Sequence, residues 1–291
     1  MQVVFHLGAH ATDEDRLIRS LSRNPQHLSH HNVVVPHPRH YRMLLRDTLR
    51  SLRGASADPA ASDALLSAVT QQENVERIVF SHEFFMCVPT RVISDKGFYD
   101  MVPDKLPPLA NIFPNADIEF YMALINPAVL IPSLVRREKD LPYEDLMNGF
   151  DPLDLRWAPI IESMVQTARG HRLVLWCNED LPLIWPEVMR SLAGLPDDLA
   201  LNGENMILQS LVSEEGLTRY KQYLRDTPPQ SIEERRDITT AFLDKYATEN
   251  ALRIDADMPG WDEDLVDSVT EIYEADIDQI AAMPGVEFIR P

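Results

Sequence analysis

The chain has 291 residues, enough to bury a sizeable core in one large α/β domain or two smaller ones, and its 45% hydrophobic content with 8% aromatics fits an ordinary globular protein. Its 46 acidic residues against 27 basic ones give a net charge of −19 that is spread along the sequence, a field that repels nucleic acid and anionic membrane surfaces and excludes both as expected partners. The two cysteines, Cys87 and Cys177, lie in apolar strand-like context and read as buried free thiols; with no basic-then-apolar leader pattern and no apolar run near the ~20 residues that span a bilayer, the expectation is a cytoplasmic protein.

In chain order, residues 2–7 form a β-branched apolar run and 13–24 a helical pattern, followed by a strand-like run at 32–35. Helical spacing returns at 40–53 and 60–72, then strand-like runs at 77–81 and 117–124, helical patterns at 127–138 and 155–169, and a strand at 172–177. Pro36, Pro38, Pro59, Pro114, Pro127 and Pro182 stand at the boundaries, where a missing N–H is tolerated. This alternation predicts a three-layer α/β fold, a parallel sheet with helices on both faces. From about 205 the strands are expected to stop, with helices at 205–226, 231–248 and 261–283 broken by Pro228-Pro229 and Pro259-Gly260. They read as a helical layer closing over one end of the sheet. No flexible linker divides the chain, so residues 1–291 are taken as one domain whose 205–283 part is mainly helical.

In open parallel sheets ligands sit beyond the C-terminal ends of the strands. The residues there are Gly8 to Asp15, Ser81-His82-Glu83, Ile125-Asn126-Pro127 and Asn178-Glu179-Asp180, a set rich in acids and histidine. An apolar strand ending in Gly8 and opening into a helix is the layout of a phosphate-cradling loop, because backbone N–H groups and the helix dipole favour an anion there. Asp13, Glu14 and Asp15 occupy that place instead. Two readings account for them: Thr12 is an N-cap with Asp15 three residues on, or the acids share a cation with Glu179 or Asp180. His82 and Glu83 form either a base with its orienting partner or a loop-fixing pair, with Glu83 preferred as the cleft residue. Arg39, Arg42, Arg46, Arg50 and Arg53 fall at helical spacing and read as a solvated face. His6 and His10 flank the first turn, while His27, His30, His31, His37 and His40 read as solvated or capping, without zinc-type spacing. Trp157, Trp176 and Trp185 read as core, and Trp261 as a seat for the last helix.

The segment Gly8-Ala9-His10-Ala11-Thr12-Asp13-Glu14-Asp15-Arg16-Leu17 resembles, in length and frame, the first loop of the bacterial sulfotransferase family, G-x-H-K-T-G-T-T-x-L. Ala11 stands at the lysine, Asp13 at the glycine, and Glu14 and Asp15 at the two hydroxyl residues. The family's second signature, an arginine followed eight residues later by a serine, falls on Ile125 and Ser133; the serine is present and the arginine is not. Phe80-Ser81-His82-Glu83-Phe84-Phe85 is similar to the post-strand segment that contributes the family's base, and Trp261 to Val286 to its closing helix.

The resemblance spans nearly the whole chain and implies a P-loop-like sheet of the sulfotransferase type and a donor, 3′-phosphoadenosine 5′-phosphosulfate (PAPS). It carries Gly8, His10, Thr12, Arg16 and Ser133 over as donor-binding positions and Glu83 and His82 as catalytic ones; no metal residue is assigned. The departures point to a sulfotransferase-like protein without ordinary PAPS-dependent transfer, needing no cofactor and binding an unknown small molecule or protein partner. The alternative is an active transferase with an altered donor site, in which Glu83 or His82 is the base and PAPS the cofactor.

Overall fold

The computed structural model describes residues 1–138, 141–249, 251, 258 and 260–291. Six strands form one parallel sheet: β1 (Gln2–His6), β2 (Val33–Val34), β3 (Arg77–Ser81), β6 (Asp117–Leu124), β7 (Arg172–Cys177) and β8 (Val286–Ile289), in the spatial order β2-β3-β1-β6-β7-β8. Two short strands, β4 (Ile93–Ser94) and β5 (Gly97–Phe98), make a separate hairpin. The expected α/β architecture with a parallel sheet is therefore present.

Strand alternation sets the two faces. Phe5, Ile78, Phe80, Phe120 and Leu175 point into one apolar cluster, while Val4, Val79, Tyr121, Val174 and Trp176 point into the other. The first cluster is centred on Phe5, whose ring lies 5.7 to 6.4 Å from those of Phe85, Phe80, Phe120 and Phe113. Trp157, Trp176 and Trp185 are buried, as expected of core residues. At the N-terminal ends of the strands, Glu119 accepts from both Arg77 and Arg172, and the Arg77 guanidinium also donates to the Leu192 carbonyl.

Most helices lie within a few residues of their sequence-read positions: Pro38–Leu52, Pro59–Val69, Pro127–Arg137, Ala158–Thr167, Ile232–Tyr246 and Glu263–Ala281, while the expected helix 205–226 is two, Met206–Leu211 and Glu214–Asp226. The pattern at 13–24 holds only the short helix Arg16–Leu21, and a second short helix, Pro25–His30, follows it. The helix Leu181–Ala193, with Pro186 inside it, shows in the sequence only as a helical pattern around Trp185.

One further expectation is corrected: strands do not stop at 205, because β8 pairs in parallel with β7, matching Leu173 with Val286 and Trp176 with Ile289. The helices between Met206 and Tyr246 build outward from Leu181–Ala193 around a small cluster of Leu208, Val212, Tyr220 and Leu243. The helix Glu263–Ala281 packs against Pro127–Arg137 and Ala158–Thr167 on the first cluster's face. There its buried Asp276 accepts from the Trp157 and Ala158 N–H groups and pairs with Arg156, capping the helix that begins at Ala158. Trp261 is buried just ahead of this last helix, and the Pro259 half of the expected Pro259-Gly260 break lies outside the described residues.

Candidate functional site

From β1 the chain runs to β2 and β3 on one side, and from β6 to β7 and β8 on the other. Neighbours β1 and β6 thus define the topological switch point, where a crevice is expected. The chain fills that crevice itself. Past β1 it keeps pairing with β6, the Ala123 N–H donating to Gly8 O at 2.6 Å and the Ala9 N–H to Ala123 O at 3.0 Å. His10 is fully buried behind it, its Nδ1 2.8 Å from Tyr99 Oη and its Nε2 3.0 Å from the Cys87 carbonyl.

The open cavity, about 390 Å³, lies one strand over, at the C-terminal ends of β1 and β3. Its walls are the turn carrying Gly8 and Asp13 to Asp15, the segment Ser81 to Phe84, and Arg42 and Arg137 from two helices, with His6 also lining it. Gly8 has φ +105°, and a Cβ there would stand 3.2 Å from Glu83 Cα, so glycine lets the two walls meet.

The turn departs from the layout of a phosphate loop. Ala11, Glu14 and Asp15 all have positive φ, and the helix that follows is six residues long. Thr12 is not the N-cap: its Oγ donates to Ala9 O at 2.7 Å. Asp13 Oδ1 instead accepts from the Leu17 N–H at 2.8 Å, so a carboxylate of the chain itself serves the start of the helix. Burial pushes the Asp13 carboxyl above its ordinary value. Arg16 folds back, donating to Asp13 O at 3.0 Å and Thr12 O at 2.5 Å, and its side chain faces a different cavity.

Each arginine of the first cavity is held by a carboxylate. Arg137 donates to both oxygens of Glu83, at 2.6 and 3.0 Å, with its guanidinium 5.5 Å from the Phe84 ring centroid. Burial pushes the Glu83 carboxyl up, but the Arg137 hydrogen bonds and charge outweigh it and leave the group below the ordinary carboxylate range. Arg42 pairs with Asp15 and donates to Ser81 O at 3.1 Å. It is thus not part of the expected solvated face, whose other members, Arg39, Arg46, Arg50 and Arg53, are exposed. Burial, reinforced by the Arg42 charge, pulls His82 down to about 4. His6, 1% exposed, places Nδ1 2.8 Å from Ser81 Oγ and stacks on Trp176, while its Nε2 has no hydrogen-bond partner.

Of the residues singled out from the sequence, Gly8, His82, Glu83 and the three acids converge here. His10, Thr12, Arg16 and Ser133 do not: the first two are buried away from the cavity, and Ser133 Oγ donates to Val129 O within its own helix. Asn126 caps that helix through the Ala128 N–H, and Ile125 is buried. Glu179 accepts from the Asn126 N–H and Tyr273 Oη beside the second cavity, about 240 Å³, so the acids of the first turn and those after β7 share no cation site. Among the described residues no group of three or more His, Cys, Asp or Glu is placed to hold a metal ion. Burial pushes the Cys87 and Cys177 thiols up to about 12, which keeps them protonated and unreactive.

His6, Arg42 and Arg137 are the cavity residues that sequence reading did not assign. Arg42 carried no signal beyond its helical spacing. His6 and Ser81 end neighbouring strands in register, a pairing visible only once β1 and β3 are known to be adjacent. No family model matches the chain, and no curated protein matches it.

Proposed function

We propose that this is a sulfotransferase-like α/β protein that has lost ordinary PAPS-dependent sulfuryl transfer and binds a small molecule in the cavity between the ends of β1 and β3. The observation that carries the reading is the Asp13 carboxylate at the start of the helix Arg16–Leu21. A donor phosphate or sulfonate bound in the family's manner needs that place. A carboxylate about 4 Å from a phosphate oxygen opposes it by about 4 kcal/mol at an effective dielectric near 20. Ala11 supplies no compensating charge, and the nearest cation in sequence, Arg16, is spent on its own loop's carbonyls. The residues present therefore do not fit PAPS.

The transferase alternative has less support. Its candidate bases are both weak: Arg137 holds Glu83 as a low-pKa carboxylate, and His82 titrates at about 4. Calorimetric titration with PAPS and adenosine 3′,5′-bisphosphate tests the reading. No saturable heat is expected, and micromolar affinity for either nucleotide would overturn it.

A further inference from the structure

The cavity's cations are used up while its acceptors are not. Four carboxylates, Asp13, Glu14, Asp15 and Glu83, face two guanidiniums, and Asp15 and Glu83 account for both of these. Asp13 has one oxygen on the Leu17 N–H and no cationic hydrogen-bond partner, and Glu14 is exposed at the rim. Independently, His6, itself almost wholly buried, is a lining residue of the cavity, and its Nε2 has no hydrogen-bond partner. In the tautomer whose Nδ1–H donates to Ser81 Oγ, that nitrogen presents a lone pair.

Building on the proposal that this cavity binds a small molecule, we propose that its ligand is an organic cation, an ammonium or guanidinium compound, held by Asp13 and Glu14 with His6 Nε2 as a further acceptor. An anion would meet two carboxylates that have no cationic hydrogen-bond partner and would find both arginines engaged. A metal ion lacks a ligand set among the described residues. The cavity already holds a guanidinium in this manner: Arg137 sits in the Glu83 carboxylate fork against the Phe84 ring. A cavity of about 390 Å³ suits a ligand the size of a diamine or agmatine.

The experiment is calorimetry and thermal shift on the full chain with agmatine and 1,4-diaminobutane, beside Mg²⁺, Ca²⁺, inorganic pyrophosphate and a panel of neutral compounds. Agmatine is expected to bind saturably. Asp13→Asn, which keeps an oxygen for the Leu17 N–H, should weaken it roughly ten-fold or more, and Glu14→Gln should weaken it less. Asp267→Asn, an exposed acid on the last helix, should leave it unchanged. Equal loss in Asp13→Asn and Asp267→Asn would reduce the effect to the protein's overall charge and overturn the proposal. If agmatine fails while an anion, a metal ion or a neutral compound binds and is lost in Glu83→Gln, the cation assignment falls and the ligand-binding reading stands. If no compound binds, both fall.

Discussion

Gly8 and Glu83 are legible in the sequence for the same physical reason: both follow directly on apolar strands, and parallel sheets gather such residues at one edge. What is not legible is how the turn folds. The frame of Gly8 to Leu17 matches a phosphate loop, yet Asp13 takes the helix-start position and His10 turns into the core against Tyr99. Gly8→Ala should strain a φ of +105° and push on the Glu83 backbone, costing about 1–3 kcal/mol in urea unfolding. Wild-type stability in that variant would show that the two walls do not depend on the glycine.

His10 ties the protein's stability to pH. Neutral, it donates from Nε2 to the Cys87 carbonyl and accepts the Tyr99 hydroxyl at Nδ1; protonated, both ring nitrogens would donate and the Tyr99 hydroxyl would have to turn and accept. Burial accordingly lowers it from 6.5 to about 4. Below 6.5 the unfolded chain binds a proton that the folded chain refuses, so this contribution to stability is complete above 6.5 and is lost as pH falls toward 4. The difference corresponds to about 3 kcal/mol. Buried His6 and His82 act in the same direction, while the raised carboxyls of Asp13 and Glu179 oppose it. Chemical denaturation at several pH values, in wild type and His10→Gln, should therefore give a shallower slope for the variant between pH 4 and 6.5. Identical slopes would contradict the assignment.

Helices with strong apolar periodicity and a proline or acid at their start were readable, as Pro38–Leu52 and Pro59–Val69 show. Leu181–Ala193 is legible only as a pattern around Trp185, because Pro186 interrupts it, although burial of Ile184, Trp185, Val188 and Leu192 holds it as one helix. β8 was missed because it has four residues, none buried, after a long helix; its ladder to β7 makes it a strand. The cap on Ala158–Thr167 comes from a residue more than a hundred positions away, beyond any local rule. Asp276→Ala removes it, leaves the Trp157 and Ala158 N–H groups and Arg156 without their acceptor, and should cost about 3 kcal/mol. A loss under about 0.5 kcal/mol would mean that the last helix is seated by its apolar contacts alone.

For the whole molecule, alternation of short strands and longer helices foretold a parallel sheet, but not the order β2-β3-β1-β6-β7-β8. That order decides which strand ends become neighbours. It divides the acidic residues pooled from the sequence between two cavities, leaving Asp13, Glu14, Asp15 and Glu83 in one and Glu179 in the other. No helix among the described residues is long and apolar enough to cross a membrane. The overall charge of −19 agrees in sign with the carboxylate excess at the first cavity, and both disfavour an anionic donor. As proposed above, the first turn provides its own anion, the Asp13 carboxylate at the start of Arg16–Leu21, where a phosphosulfate donor would sit. The most direct test is to incubate the protein with radiolabelled PAPS and a panel of hydroxyl and amine acceptors, following label transfer alongside nucleotide binding. Neither transfer nor saturable binding is expected; transfer that is lost in Glu83→Gln or His82→Gln would contradict the account and establish an active transferase.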